Sequence, residues 1–361
     1  MTLLWWELVT SIRWALAAGC LLVLAPAGRA VPVVGQAQPD YLPFGTVCVG
    51  GAVEGSFLVY ASADDPKPTV KVEAPKFVKV LGTKTFARQV GAANSFTCVE
   101  VEVAIETARE GEFESEIKVT VGEVTTKMPV SVVVKTRKAG QIRLLVAGTP
   151  FECAATDSGK MYKAWTDLVR DAGLDTSYLL VRPKQPVLRD LDLSKYNCVL
   201  LNAHALLSQT ADYVQRVRAF AKAGGRVVVT TSAFFTGSVP AANEVLDGTG
   251  LELLDQGAPR GLKNVTPKAD DFSPEVVKAG IKSATFFRAS PIRVENGGRV
   301  LVSAVGFEKA GLGFVATAKV GKGEVTVMGV SLWWLWTAGE RGEGADNTKL
   351  LRWLLAPPLA G

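Results

Sequence analysis

Hydrophobic and polar residues alternate along the chain from about residue 40 to residue 135. Within Thr97–Ile105 the valines fall on one side and the glutamates on the other, as expected of a strand that buries one face. Turn residues such as Asp64-Asp65-Pro66 and Gly122 separate the runs. Short alternating runs at this spacing, with no helical period between them, predict a small β-sandwich. The clearest runs are Ser56–Ala61, Thr69–Ala74, Thr97–Ile105, Glu116–Val121 and Thr125–Val134.

The pattern changes after a polar linker at residues 136–141, where apolar strands begin to alternate with stretches of helical spacing. Ser208 is predicted to cap one helix, Gly224-Gly225 to end it, and Gly173 to end an earlier helix over Lys160–Ala172. Continuous apolar strands connected by helices predict a parallel sheet that is covered on both faces. The predicted elements of this part are the strands Ile142–Ala147, Leu174–Val181, Asn197–Asn202 and Arg226–Thr230, a hairpin of Gly313–Val320 and Glu324–Val330, and a helix over Asp346–Leu355.

These patterns predict an α/β fold with a β-sandwich at residues 40–135 and a parallel-sheet domain at residues 142–357. A chain of 361 residues is long enough for two domains with a core each. Because the period changes across the linker, the two domains are expected to fold independently. Limited proteolysis should then yield a fragment that starts near Gln141 and keeps a cooperative melt.

Residues 1–30 are expected to be a signal peptide that directs export. Their apolar stretch, Trp14–Gly28, is shorter than the roughly 20 residues that span a membrane. Small residues at Gly28-Arg29-Ala30 offer a cleavage site, so the mature protein is predicted to begin near Val31 in the periplasm or cell envelope. An uncleaved anchor, a cytoplasmic location and lipidation at Cys20 remain alternatives. No later segment is long and apolar enough to predict a transmembrane span.

Four of the five cysteines follow the predicted signal peptide. Cys48 and Cys98 fall in the same β part and are candidates for a disulfide in an oxidising compartment. Against this pairing, Cys98 alternates with Glu100 and Glu102, which predicts that its side chain faces outward. Cys198 begins an apolar strand and is predicted to be an inert core residue.

Charge and composition argue against several classes of partner. The chain carries 40 Lys and Arg against 35 Asp and Glu, interspersed and without a long basic run, which argues against nucleic-acid binding. The single histidine, His204, rules out a His-rich metal site and restricts any histidine-based triad to that residue. No cofactor and no metal site is predicted.

Both parts resemble known folds. In the first, the segments Phe44-Gly45-Thr46-Val47, Gly111-Glu112-Phe113 and 128–132 resemble the Ig-like modules of bacterial envelope proteins, which are related to major-sperm-protein and ASH domains. That resemblance implies a spacer or adhesion module. In the second, residues 223–228, the turn 321–323 and residues 346–355 resemble the class I glutamine amidotransferase-like fold, in the branch of trehalose-utilisation-type proteins.

The catalytic residues that the second resemblance implies are missing. An active amidotransferase of that family presents a cysteine on a glycine-flanked turn between a strand and a helix. The matching segment here, Thr230–Phe234, contains neither a cysteine nor a glycine beside Ser232, and the family's late histidine and glutamate are absent from Gly329–Trp334. The resemblance therefore implies a fold without its activity.

A candidate site is predicted at the carboxyl edge of the parallel sheet, where open α/β sheets bind ligands. His204 follows a buried strand, and Cys153 lies in the loop after the first strand, so the two are candidates for a nucleophile and base. The alternative is a loop thiol beside a hydrogen-bonding histidine. His204→Ala is then expected to lower stability by roughly 1 kcal/mol and to leave any turnover unchanged. Further candidates for ligand binding are Glu152 and Asp157 for a cation or a sugar hydroxyl, Ser208 at a helix start for an anion, and Ser232.

Two classes of function remain open from the sequence. The first is an exported, non-catalytic protein, a pseudoenzyme that binds an envelope protein or a carbohydrate. The second is a hydrolase of carbohydrate or amide bonds with an unrecognised site at the carboxyl edge. A distance between Cys153 and His204 beyond hydrogen-bond reach would exclude the Cys–His form of the second.

Overall fold

The protein is mixed α/β in a computed structural model. The model describes residues 32–90, 94–147, 158–179, 191–207, 210–233, 237–256, 264–295, 297–307, 311–332 and 346–356.

In the first part, the described strands form two four-stranded sheets. The strands are β1 (Ala37–Gln38), β2 (Leu42–Cys48), β3 (Glu54–Ser62), β4 (Val70–Glu73), β5 (Val78–Val90), β6 (Asn94–Ile105), β7 (Gly111–Val121) and β8 (Val124–Lys135). One sheet has the order β1-β3-β6-β5 and the other β2-β8-β7-β4. Their alternate apolar side chains, such as Phe57, Val101, Ile117 and Val130, share one core and are almost completely buried. The five predicted runs are confirmed as β3, β4, β6, β7 and β8.

In the second part, the described strands form a nine-stranded sheet and a separate strand pair. They are β9 (Arg143–Ala147), β10 (Asp175–Leu179), β11 (Cys198–Asn202), β12 (Arg226–Thr230), β13 (Leu251–Leu253), β14 (Asn264–Val265), β15 (Phe286–Phe287), β16 (Ile292–Val294), β17 (Gly298–Ser303), β18 (Leu312–Val320) and β19 (Gly323–Met328). The large sheet has the order β10-β9-β11-β12-β19-β18-β16-β13, with β17 paired to β18. The first five strands in that order are parallel, and β18 runs antiparallel to β19.

Helices cover both faces of this sheet, as predicted. The described helices are α1 (Ser158–Asp171), α2 (Ala203–Leu207), α3 (Ala211–Lys222), α4 (Ser238–Leu246), α5 (Pro274–Lys278) and α6 (Asn347–Leu355). On one face, α3 and α4 bury Val217 and Val245 against the sheet. On the other, α1 and α6 bury Trp165 and Leu351. The closing helix and the hairpin of β18 and β19 lie within a residue or two of their predicted bounds.

The helix predicted to start at Ser208 starts later, so the prediction of Ser208 as its cap was wrong. The chain leaves β11 directly into the short helix α2, where Asn202 Oδ1 accepts a hydrogen bond from Ala205 N at 3.0 Å. Thr210 then takes an extended conformation, and its Oγ1 accepts from Tyr213 N at 3.3 Å, which caps α3. Ser208 itself lies outside the described residues.

The two parts pack against each other along β10, the edge strand of the large sheet. Tyr178 N donates to Ala52 O at 2.8 Å, and Val53 forms a parallel bridge with Tyr178. The rings of Phe44 and Tyr178 lie 6.3 Å apart between centroids. At Tyr178, the first part therefore supplies backbone partners to the edge strand of the large sheet.

The same contact continues on either side of β10. Gly45 has a φ of +65°, and a Cβ there would lie 2.8 Å from Thr166 Cγ2 on α1. Arg137 Nε, in the linker, lies 2.5 Å from Oδ2 of the buried Asp175. Apolar side chains of both parts belong to one contiguous core. Independent folding of the two parts stays a prediction, and this shared core is the physical reason to test it.

The cysteines of the described residues are unpaired. Cys48, Cys98 and Cys198 are free and buried, so the Cys48–Cys98 disulfide does not form in this structure. Cys98 points away from the main core, as its alternation with Glu100 and Glu102 predicted, but it is not exposed, because Tyr60 and Phe96 pack with it into a small second core on that face of the sheet. Burial raises the pKa of Cys48 to about 12, that of Cys98 to about 11 and that of Cys198 to about 12.

Among the described residues, no helix combines the length and the apolar character needed to cross a bilayer.

Candidate functional site

The structure places His204 at the carboxyl end of the parallel sheet, as predicted. It is the second residue of α2, which follows β11 without a break. Glu152, Cys153, Asp157 and Ser208 lie outside the described residues. Their convergence with His204, including the Cys153–His204 pair, therefore stays a prediction.

Ser232 lies two residues beyond the end of β12 and is completely buried. Its Oγ has no hydrogen-bond partner among the described residues. The neighbouring hydroxyls do have partners: Thr231 Oγ1 lies 2.6 Å from Ser238 Oγ, and Ala233 N donates to Ser290 Oγ at 2.8 Å. Ser232 thus occupies an interior position in this structure, and its role in ligand binding stays a prediction.

The exit of β19 packs tightly against the same hydroxyl groups. Ser290 N donates to Gly329 O at 2.7 Å, and a Cβ at Gly329 would lie 1.9 Å from Ser290 O. Ser331 follows two residues later, is buried, and has no described partner for its Oγ. The described residues at this edge therefore form a buried cluster of neutral hydroxyls. Such groups can hydrogen-bond backbone or a ligand, but at neutral pH they need an adjacent base to act as nucleophiles.

Within the described ranges, no group of three or more His, Cys, Asp and Glu side chains comes together as a metal site would require. Cys198, at the opposite end of β11 from His204, has its pKa raised to about 12 by burial, so its thiol is protonated at neutral pH.

A groove that sequence analysis did not single out lies at the other, amino-terminal edge of the sheet. Its volume is about 960 Å³, and its lining includes the linker and the first residues of β9, β11 and β12. Residues far apart in the sequence meet there, from Arg137 to Leu355. The only hint in the sequence was that strands of this sheet begin with charged residues, as at Arg143 and Arg226.

No family model and no curated protein matches this sequence. Several solved structures are similar at low TM-score. A β-galactosidase from Bacillus circulans sp. alkalophilus is 18% identical with a TM-score of 0.37, and the match covers 56% of this chain and 31% of the enzyme. The chain thus spans about a third of that enzyme.

Two other structures are similar to different lengths of the chain. A ThuA-like protein from Parabacteroides merdae is 13% identical with a TM-score of 0.36, and the match covers 61% of this chain and 91% of that protein. The ASH/PapD-like domain of human CEP192 is 10% identical with a TM-score of 0.19, and the match covers 32% of this chain and 95% of that domain. TM-scores this low assign the chain neither a family nor an activity.

Proposed function

We propose that the chain is an exported, non-catalytic binding protein. In this proposal, an Ig-like β-sandwich carries a flavodoxin-like domain of the class I amidotransferase-like fold that has lost its catalytic residues. The parallel strand order β10-β9-β11-β12-β19 supports the flavodoxin-like fold of the second part, because it corresponds to the order 2-1-3-4-5 of flavodoxin-like sheets. The ligand is an envelope protein or a carbohydrate.

The main observation behind the proposal that the protein is non-catalytic is the burial of Ser232. A nucleophile of the resembled family is exposed on a sharp turn beside a base. Ser232, at the matching position, is closed off from solvent, and its Oγ contacts no base among the described residues. A hydroxyl group in that state is not activated to attack a bond.

A hydrolase screen on the mature protein tests this proposal. The substrates are p-nitrophenyl glycosides, p-nitrophenyl esters and glutamine, and the control is the same protein after heat unfolding. We expect no turnover above that control. Turnover that His204→Ala lowers a hundredfold or more, with the fold intact, would show general-base catalysis and contradict the proposal.

Export is tested separately by sequencing the amino terminus of the native protein. We expect a start near Val31 in an envelope fraction. A native protein that begins at Met1 in the soluble cytoplasmic fraction would refute export. That result would leave the proposal of a non-catalytic protein unaffected. If export holds, a pull-down from envelope extract compared with binding to immobilised glycans distinguishes the two ligand classes.

A further inference from the structure

We propose that the groove at the amino-terminal edge of the large sheet binds a small organic anion that carries at least two acidic groups and a ring. The proposal rests on the charges, the unsatisfied guanidinium and the apolar wall of this groove. It is independent of the carboxyl edge, where sequence analysis predicted a site.

The groove is strongly cationic. Two acidic side chains, Glu275 and Glu324, line it against six cationic ones, which gives the lining a formal net charge of +4. By contrast, the whole chain is nearly balanced, with a net charge of +5 over 361 residues. The six cationic residues are Arg137, Lys138, Arg143, Arg226, Lys278 and Arg299.

Two of these cations already have carboxylate partners. Arg137 pairs with Asp175, and Arg299 pairs with Glu275. The other four have no ion-pair partner among the described residues. Arg143 instead donates from its Nε to the neutral Asn197 Oδ1 at 3.3 Å. The groove therefore retains a net positive charge even when Asp175 is counted with Glu275 and Glu324, and an anionic ligand would be attracted to it.

Arg226 is the best placed of these cations to anchor a ligand. It is the first residue of β12, and its register partners are Cys198 on one side and Glu324 on the other. Its side chain is half-buried, its Nε is shielded from solvent, and that Nε has no hydrogen-bond partner among the described residues. Because that Nε is shielded, a ligand in the groove would contact the terminal nitrogens of the guanidinium, and Arg226 has no ion-pair partner among the described residues that would compete for them. A guanidinium matches the two oxygens of a carboxylate or phosphate group.

Apart from Gln141 and Asn197, the uncharged residues of the lining are apolar, which favours a ligand that also has an apolar surface. Trp353 on α6 is half-buried and lines the groove together with Leu301 and Ile142. A ring placed on Trp353 would gain contact area that a simple inorganic ion lacks. The volume of about 960 Å³ lies near the upper end of small-molecule sites, which run from roughly 300 to 1,000 Å³. These features together favour a ring-bearing polyanion over a bare anion or a neutral sugar.

Acidic sugars and nucleotides both combine several acidic groups with a ring. Titration calorimetry on the mature protein can tell which of these two classes binds. Trigalacturonate supplies carboxylates on saturated rings, and ADP supplies phosphates beside an aromatic ring. Inorganic phosphate tests charge without a ring, and maltotriose tests rings without charge. We expect trigalacturonate or ADP to bind, and the one that binds identifies the source. If neither binds, or if inorganic phosphate binds as tightly as both, the proposal is wrong.

Variants locate the binding in the groove. Arg226→Gln should weaken binding of the preferred probe roughly 10- to 100-fold, because it removes a charge-assisted hydrogen bond. Arg226→Lys should restore part of that loss, since it keeps the charge but not the planar fork. Lys67→Gln removes an exposed charge from the first part, far along the chain from the groove lining, and should leave binding unchanged.

A second position protects the test against misfolding, because Arg226 begins a central strand. Lys278 lies exposed at the end of α5 on the rim of the groove, so Lys278→Gln should fold normally. It should weaken binding a few-fold, with an effect that shrinks as salt is raised. Equal affinities for the wild type, Lys278→Gln and Lys67→Gln, together with an unchanged affinity in any folded Arg226 variant, would overturn the assignment.

Discussion

The shared core between the two parts leads to a quantitative prediction for Phe44→Ala. Phe44 lies on β2, is 8% exposed and packs against Tyr178 on β10. Truncating a buried phenylalanine to alanine costs about 3–5 kcal/mol of unfolding free energy, from lost burial and from the cavity that remains. With a urea m-value of about 3 kcal/mol/M, the unfolding midpoint should fall by roughly 1–1.7 M.

The distribution of tryptophans makes the coupling between the two parts observable. In a protein that begins at Val31, every tryptophan lies at or after Trp165, in the second part. Tryptophan emission therefore reports only on that part, whereas Phe44 belongs to the first. If the parts unfold together, Phe44→Ala shifts the emission transition as much as the circular-dichroism transition.

A matched control and a refuting result complete this test. Phe86 lies on the edge strand β5 and is 40% exposed, so Phe86→Ala should cost less than about 1 kcal/mol. If the emission transition of Phe44→Ala stays at the wild-type midpoint while circular dichroism shows an earlier transition, the two parts unfold independently. The shared core would then be energetically unimportant, as the pattern of the sequence suggested.

Three further predictions concern the buried thiols and the carboxyl edge. Cys48, Cys98 and Cys198, the free thiols of the described residues, should resist a thiol reagent until the protein unfolds. Because their pKa values are raised from 9.0, the unfolding free energy should be highest below pH 9 and decline from there toward pH 12. Rapid labelling of any of these three cysteines in the native protein, located by peptide mapping, would contradict this. Gly329→Ala should lower the unfolding free energy by more than about 2 kcal/mol, because the added Cβ would collide with Ser290 O. An unchanged melting temperature would show that the segments around Gly329 and Ser290 can move apart at little cost. Ser232→Ala should leave the unfolding free energy unchanged or raise it, because the Ser232 hydroxyl is buried without a partner. Ser290→Ala should lower it by about 1–3 kcal/mol, because Ala233 N would lose its acceptor. Equal effects of the two substitutions in thermal melts would contradict the hydrogen-bond assignment.

Local pattern was sufficient for most of the secondary structure. Strands such as Arg226–Thr230 follow from continuous apolar residues bounded by glycine and a polar turn, and the closing helix follows from leucines at helical spacing. The start of α3 was placed wrongly at Ser208, because Ser208 and Thr210 are both good caps. In the structure it is Thr210 that takes the extended conformation of a cap, and the local sequence does not decide between the two. The burial of Cys98 was missed for a related reason: alternation tells which residues share a face, but not whether the second face is covered.

The sequence alone determined the division into a β part and an α/β part, the elements with a clear period such as β9–β12 and α6, and the position of His204 at the carboxyl edge, because each depends on neighbours within a few residues. Only the tertiary structure decided three other features. It closed Ser232 into the interior, it covered the β10 edge with the first part, and it assembled the cationic groove from the linker, three strand starts and α6. These depend on contacts between segments up to about two hundred residues apart, which no local periodicity encodes. The charge of Arg226 gives no sign of a binding site in its own stretch of sequence. It can contribute to one only after folding shields it from solvent and brings other unpaired cations to the same groove.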